Sequence, residues 1–239
     1  MKKTAPTIEK IVDKFEETKN KINAIEFDAH WYRRVFHAFG ACFLFYYLLP
    51  TNIDWINLLK FWVPFLILVS LVILEFLRIK GKVSSSHFFG LRLYEKNRVG
   101  SYLFFGVAMV TLLLYFPQQI AIPCILCASI GDPVIGEIRS RFGGKSVYVV
   151  GFFVCMIFFM VAWYKADFWV MFFVSVVGAL GAVIGEAKKF WWIDDDFMIQ
   201  MVPAVLLLII WFSAQIGGFE FPDLTNPINN IIYPVNLPW

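Results

Sequence analysis

The residues whose types and order could do chemistry are Asp132, Lys145, Ser146, Glu186 and the run Asp194-Asp195-Asp196. Asp132 sits in Gly131-Asp132-Pro133, where an apolar run ends, and the chain then passes Gly136, Arg139 and Arg141 to reach Gly143-Gly144-Lys145-Ser146. A carboxylate inside an otherwise apolar segment is costly to place, so it is read as functional by default. Three adjacent carboxylates repel one another at an apolar boundary. A divalent cation would relieve that repulsion, and hard oxygen donors suit Mg²⁺, so Asp132, Asp194, Asp195 and Asp196 are candidate metal ligands. A solvated acidic turn marking the interface is the competing reading of the triplet. Arg139, Arg141 and Lys145, with the glycines around them, supply positive charge and close backbone approach for phosphate oxygens. Carboxylates for a metal together with cations for phosphates suit phosphoryl transfer, which depends mainly on positioning and charge stabilisation.

Other chemistries fit less well. Gly144-Lys145-Ser146 is not a P-loop, because the glycine that motif needs five residues before Gly144 is Arg139. No Ser-His-Asp or His-Glu-x-x-His arrangement is present. Cys124-x-x-Cys127 has no partner Cys or His pair in reach and no charged neighbour, so all four cysteines are read as buried apolar residues. His37 on an apolar helix reads as a packed, hydrogen-bonded residue. Glu75 and Arg78, three apart, read as a pair that neutralises itself.

The elements that must position these residues are membrane helices. The 239 residues are 59% hydrophobic and 16% charged, and the mean hydropathy is +0.68. Those values lie outside the range of a soluble domain. A helix crossing the roughly 30 Å hydrocarbon core needs roughly 20 mostly apolar residues. Seven runs qualify, at about 34–50, 55–79, 99–117, 118–138, 147–164, 168–185 and 197–216. The expected fold is therefore all-α, a polytopic membrane helix bundle of about seven transmembrane helices. With that count every Lys and Arg except Lys60 and Lys165 falls in the N-terminal segment or in every second loop. The excess of cations on one side predicts a cytoplasmic N-terminus and an outside C-terminus. It also puts the candidate site on the cytoplasmic side. Residues 1–32 are expected to form a cytoplasmic segment with an amphipathic helix, 33–216 the transmembrane catalytic domain and 217–239 an extracytoplasmic tail.

Local sequence adds detail to this frame. Pro133 removes a backbone donor, so the fourth helix is expected to kink or break there. Asp132 would then cap a new helix whose free N–H groups face a polar cavity. Gly136, Ser140 and Gly144 recur every fourth residue, a smooth strip for a helix or a ligand. Gly178, Gly181 and Gly185 suit close packing of the sixth span.

At these residues the chain resembles the integral-membrane polyprenol kinase family, which includes dolichol kinase, phytol and farnesol kinases and the CTP-dependent diacylglycerol kinases. The resemblance is carried by Gly131-Asp132 with Gly136, the turn before Lys145-Ser146, Glu186, and the Asp run before a final apolar helix. Arg33-Arg34…His37, Glu75-x-x-Arg78 and Arg98-x-Gly100-Ser101 fit the upstream pattern, so it covers roughly residues 33–212. Where the family continues Lys-Ser-x-Glu-Gly-Ser this chain has Val147 to Gly151, and Asp195-Asp196 stands for its Asp-Asn. The resemblance implies transfer of the γ-phosphate of CTP or ATP to a membrane lipid alcohol, a polyprenol or a diacylglycerol-type lipid, with Mg²⁺. It implies catalytic roles for Asp132, Lys145, Glu186 and Asp195, with Glu186 a base or second metal ligand. Nucleotide contacts fall to Gly131, Gly136, Arg139, Arg141, Gly143, Gly144, Lys145 and Ser146. A cytidylyltransferase acting on a phosphorylated lipid needs the same site and would release pyrophosphate. A non-enzymatic seven-helix protein would carry the same charges only at its interfaces. No nucleic-acid partner is expected.

Overall fold

The computed structural model describes residues 31–50, 52–83, 91, 95, 98–143, 146–187 and 193–216. The expected N-terminal amphipathic helix, Gly144, Lys145, Lys188-Lys189 and the tail 217–239 lie outside them. The described residues form helices and no strand. Residues 31–40 are α-helical and tighten into a 3₁₀ stretch at Ala41–Leu48; the two together are α1. Then follow α2 (Asp54–Ile79), α3 (Ser101–Tyr115), α4 (Gln118–Leu126), a π-helical turn at Cys127–Gly131, and α5 (Asp132–Phe142). The chain ends in α6 (Ser146–Ala162), α7 (Phe168–Ala187) and α8 (Asp195–Ile216). With α4, the π turn and α5 counted as one rod, these match the seven apolar runs one for one. Four segments are long and apolar enough to cross a bilayer, Asp54–Ile79, Gln118–Phe142, Phe168–Ala187 and Asp195–Ala214, whereas Ser101–Tyr115 and Ser146–Ala162 are shorter. The chain is a membrane protein, and a helix suits that setting because it satisfies its backbone polar groups internally.

Burial sorts the helices into a centre and a flank. α3 carries fully buried Ala108, Leu112, Leu113 and Leu114, and α4 buries Ile120, Cys124 and Ile125. α4 packs on α3, α6 and α8, while α2 packs chiefly on α3. The outward faces are themselves apolar, with Leu66 and Ile73 on α2, Phe153 and Ile157 on α6 and Ile209 on α8 all exposed. Such surface is a liability in water and suits hydrocarbon.

The fourth rod departs from expectation. It does not break at Pro133: Gly131 and Asp132 are both right-handed helical, and no side chain caps α5. Instead the Asp132 N–H donates to the Cys127 carbonyl, five residues back. That π turn absorbs the donor missing at Pro133 and keeps the helix continuous. No free, partly positive helix end forms there, so Asp132 acts through its side chain and not as a cap. The small-residue strip meets no packed helix at Gly136. A Cβ on Gly136 would meet nothing within 4 Å.

Close approach occurs instead between α7 and α8. A Cβ on Gly185 would lie 2.5 Å from the Met198 carbonyl oxygen, and one on Gly181 would lie 2.9 Å from the Pro203 Cα. Those contacts are to backbone, which cannot swing aside as a side chain can. At the far end of α2, Arg78 grips Glu75 through Nε and Nη2, both at 2.7 Å. Glu75 also accepts from the Gly100 N–H at 2.6 Å and from the Tyr102 hydroxyl. Arg78 donates onward to the carbonyls of Glu95, at 3.1 Å, and Arg98. The pair is structural, as its spacing suggests, and it ties the return from α2 to the start of α3. Cys124, Cys127 and Cys155 are buried and unbridged, whereas Cys42 is exposed.

Gly185→Val should destabilise the protein in detergent by about 1–3 kcal/mol, the usual range for overpacking against an unyielding neighbour. Leu180→Val on the exposed face of α7 should change it by no more than about 0.5 kcal/mol. Thermal unfolding of the two purified variants checks both values.

Candidate active site

Four helices bring their polar residues to one end of the bundle. α8 starts the site. The Asp194 carboxylate accepts the Asp196 N–H at 3.1 Å, and its carbonyl accepts Phe197 N–H at 3.2 Å. Asp194 therefore caps α8, the local reason a helix begins here. Asp195 and Asp196 lie in its first turn, where carboxylates complement the helix dipole. Asp196 is 1% exposed. A carboxylate so deep needs charged partners, and both come from α1.

Arg33 Nη2 donates to Asp196 at 2.7 Å and lies 3.7 Å from Asp195 and 3.9 Å from Asp194. His37, one turn along α1, is 2% exposed. Its Nε2 lies 3.0 Å from Asp196 Oδ1, and its Nδ1 lies 2.7 Å from the Arg33 carbonyl oxygen. A carbonyl only accepts, so Nδ1 carries a hydrogen. An ionised Asp196 facing Nε2 then calls for imidazolium. Asp196 is thus clamped between two cations.

Asp132, on the first turn of α5, points into the same place. Ligand atoms of His37, Asp132 and Asp196 all lie within 4.8 Å of one another, as do those of Asp194, Asp195 and Asp196. The Asp132 carboxylate forms no hydrogen bond or ion pair among the described residues. Burial, a hydrogen bond with Asp195 and the charges of Asp196 and Asp195 push the Asp194 carboxyl up to about 9. Without a further cation it holds its proton at neutral pH. The arrangement has more carboxylates than the two α1 cations can balance, and its oxygens converge. That donor set fits a divalent cation of the hard, oxygen-seeking kind.

Glu186, at the end of α7, is 3% exposed and accepts from Arg139 Nη2 at 2.8 Å. Glu186 is therefore engaged in holding Arg139. The Arg139 guanidinium also lies 5.6 Å from the Tyr148 ring centre, and its side chain remains 42% exposed. It is held in position and still open to an anion.

The other sequence candidates separate into groups. Arg141 pairs with Glu137, which also binds Arg34, and the Arg141 side chain is 70% exposed. It belongs to a surface ion triad rather than to the carboxylate cluster. Gly131 is a packing residue, since a Cβ there would lie 3.3 Å from Cys155 Sγ on α6. Gly143 ends α5 with φ 60°, a backbone state that favours glycine, and nothing lies near its Cβ position. Gly136 faces open space, and Ser146 Oγ donates to the Gly143 carbonyl at 3.4 Å. Gly144 and Lys145 lie outside the described residues.

Arg33 and His37 are the residues that sequence reasoning left out of the site. Their signal was present as two polar side chains four apart on one face of an otherwise apolar helix. It identified a face but not its neighbour.

Mg²⁺ should raise the thermal midpoint of the purified protein, by up to about 2.7 kcal/mol of stabilisation at a hundred times its Kd. Asp132→Asn should keep the fold, because Asp132 has no partner among the described residues to lose, and should abolish the response. An equal response in the variant would exclude Asp132 as a ligand.

No family model matches the chain, and no solved structure does. A curated protein that does match is CTP-dependent diacylglycerol kinase 1 of Schizosaccharomyces pombe, 26% identical over 144 residues. The match covers 50% of this chain and 64% of that protein. About half of the chain is thus similar to a kinase that is named for its use of CTP on diacylglycerol, and the similarity supports a CTP-dependent lipid kinase family.

Proposed function

We propose that the chain is a membrane-embedded lipid kinase that transfers the γ-phosphoryl group of CTP to the hydroxyl of a lipid alcohol, of the polyprenol or diacylglycerol type, on the cytoplasmic face. The observation that carries this reading is the convergence of Asp132 and Asp194 to Asp196 with Arg33, His37, Glu186 and Arg139 at one end of an apolar bundle. The similarity to a CTP-dependent diacylglycerol kinase supports it from a second direction.

Asp132 and Asp196, backed by Asp194 and Asp195, would hold Mg²⁺. Bound there, the ion would neutralise charge on the β- and γ-phosphates. Arg33 and His37 hold Asp196 in place and keep the carboxylates from repelling one another apart. Arg139, oriented by Glu186 and Tyr148, offers its exposed guanidinium to phosphate oxygens, and Lys145, which follows α5 in sequence, would add a second cation. The lipid oxygen bonds to the γ-phosphorus as the bond from that phosphorus to the β-phosphate oxygen breaks. The hydroxyl proton passes to a carboxylate of the cluster, and CDP leaves. A loose transition state asks little of a base and much of positioning, which suits residues fixed on four helices.

Purified protein with Mg²⁺ and γ-labelled CTP should phosphorylate at least one of dolichol, geranylgeraniol, phytol or diacylglycerol. Asp132→Asn should lower kcat by about 10²–10³, the range seen when one group stabilising transition-state charge is removed. Absence of labelled lipid with every acceptor, from CTP and from ATP, would refute the assignment.

A further inference from the structure

Beside the polar cluster lies an apolar cleft of about 220 Å³ between α1, α2 and α3, whose walls include Phe36, Phe43, Ile67, Tyr102, Phe105 and Val110. Its lining is apolar throughout. Even Tyr102 presents only its ring, because its hydroxyl is taken by Glu75. The cleft adjoins the site through Phe105, whose ring meets the His37 ring edge-to-face at 4.9 Å and the Phe36 ring at 6.2 Å. Its lining on α3 extends from Tyr102 to Leu113, about 16 Å along the axis at the helical rise. It therefore starts level with His37 and runs along the bundle toward the apolar middle. Phe36, Phe39 and Ile67 on its rim are exposed, so it opens sideways onto the surface that faces hydrocarbon.

We propose that this cleft holds the hydrocarbon chain of the acceptor lipid, entering from the bilayer, and presents its hydroxyl end to His37, Asp132 and Asp196. The proposal rests on the kinase reading and adds the binding site of its second substrate. An extended, wholly apolar slot with one ring, that of Phe105, between it and a buried charged cluster matches a long-chain alcohol, which is apolar along its length and polar at one end. A nucleotide has no use for such a slot. A membrane phospholipid is the competing occupant, and it would fill the slot without preference for the alcohol.

The test uses the full chain in phosphatidylcholine vesicles, irradiated with a long-chain alcohol that carries a diazirine near the end of its chain. The expected adducts fall on Phe43, Ile67 or Val110 and are suppressed by excess unlabelled alcohol. Adducts confined to other helices, or adducts that unlabelled alcohol does not suppress, overturn the proposal. In the transfer assay, Ile67→Trp should lower the kcat/KM of a long-chain acceptor relative to a short-chain one by about ten-fold, with KM for CTP within about two-fold. Equal effects on both acceptors overturn it. A wild-type chain without any phosphoryl transfer removes the kinase reading, and the photolabelling then still decides the cleft.

Discussion

The structure depends on a charge imbalance that α1 offsets. Four carboxylates, Asp132 and Asp194 to Asp196, are drawn together at the end of a bundle whose outward helix faces are largely apolar. Asp196, at 1% exposed, is the deepest of them. A buried carboxylate without partners would be strongly destabilising. Arg33 and His37 supply the compensation, and they do so from the first described helix, far from α8 in sequence. The first and last helices of the bundle are thereby joined by ion pairs at 2.7 and 3.0 Å. The same compensation is incomplete, since Asp132 stays without a partner among the described residues and Asp194 keeps a raised pKa. The crowded carboxyl oxygens, whose repulsion a cation would relieve by taking the place of a proton, are what make the site a candidate for a cation.

Geometry elsewhere serves that cluster. The π turn at Cys127–Gly131 inserts one extra residue into the fourth rod, which changes the register of everything after it. Asp132 follows the turn directly, so the turn sets the direction of the carboxylate as well as accommodating Pro133. Gly181 and Gly185 let α7 lie against α8 at backbone distance, which brings Glu186 beside the first turn of α8. Glu186 in turn holds Arg139. Packing and electrostatics converge at Asp132, Glu186 and Asp196, each within a turn of a close helix contact, at Gly131, Gly185 and Met198.

A membrane setting makes such arrangements legible only in part. Fold class could be read directly, because apolar run length has a physical scale in bilayer thickness, and every run became a helix. The Glu75–Arg78 pair could be read too, since both residues lie on one helix face and need no tertiary information. Burial of Cys124, Cys127 and Cys155 followed from the absence of charge around them, but Cys42, expected to be buried as well, is exposed on α1. The helix break could not be read. Proline removes a donor in any helix, but whether the chain breaks or inserts a π turn depends on how α4 and α5 are held by α6 and α8. The family resemblance implies nucleotide contacts for Arg141 and Gly131, and only the structure shows that Arg141 pairs with Glu137 and that Gly131 lies against Cys155.

The sequence by itself determined the seven apolar helices, the cluster of carboxylates and cations, and therefore phosphoryl chemistry at a membrane as the reading to examine. Those features are local: run length, residue type and spacing along one chain segment carry them. Tertiary structure alone decided that Arg33 and His37 belong with Asp196, that Glu186 holds Arg139, and that Asp132 faces this cluster from a continuous helix. It also decided that an apolar cleft lies next to His37. Contacts between helices depend on which faces pack together, and a single apolar helix is too uniform for its sequence to say which face meets which neighbour.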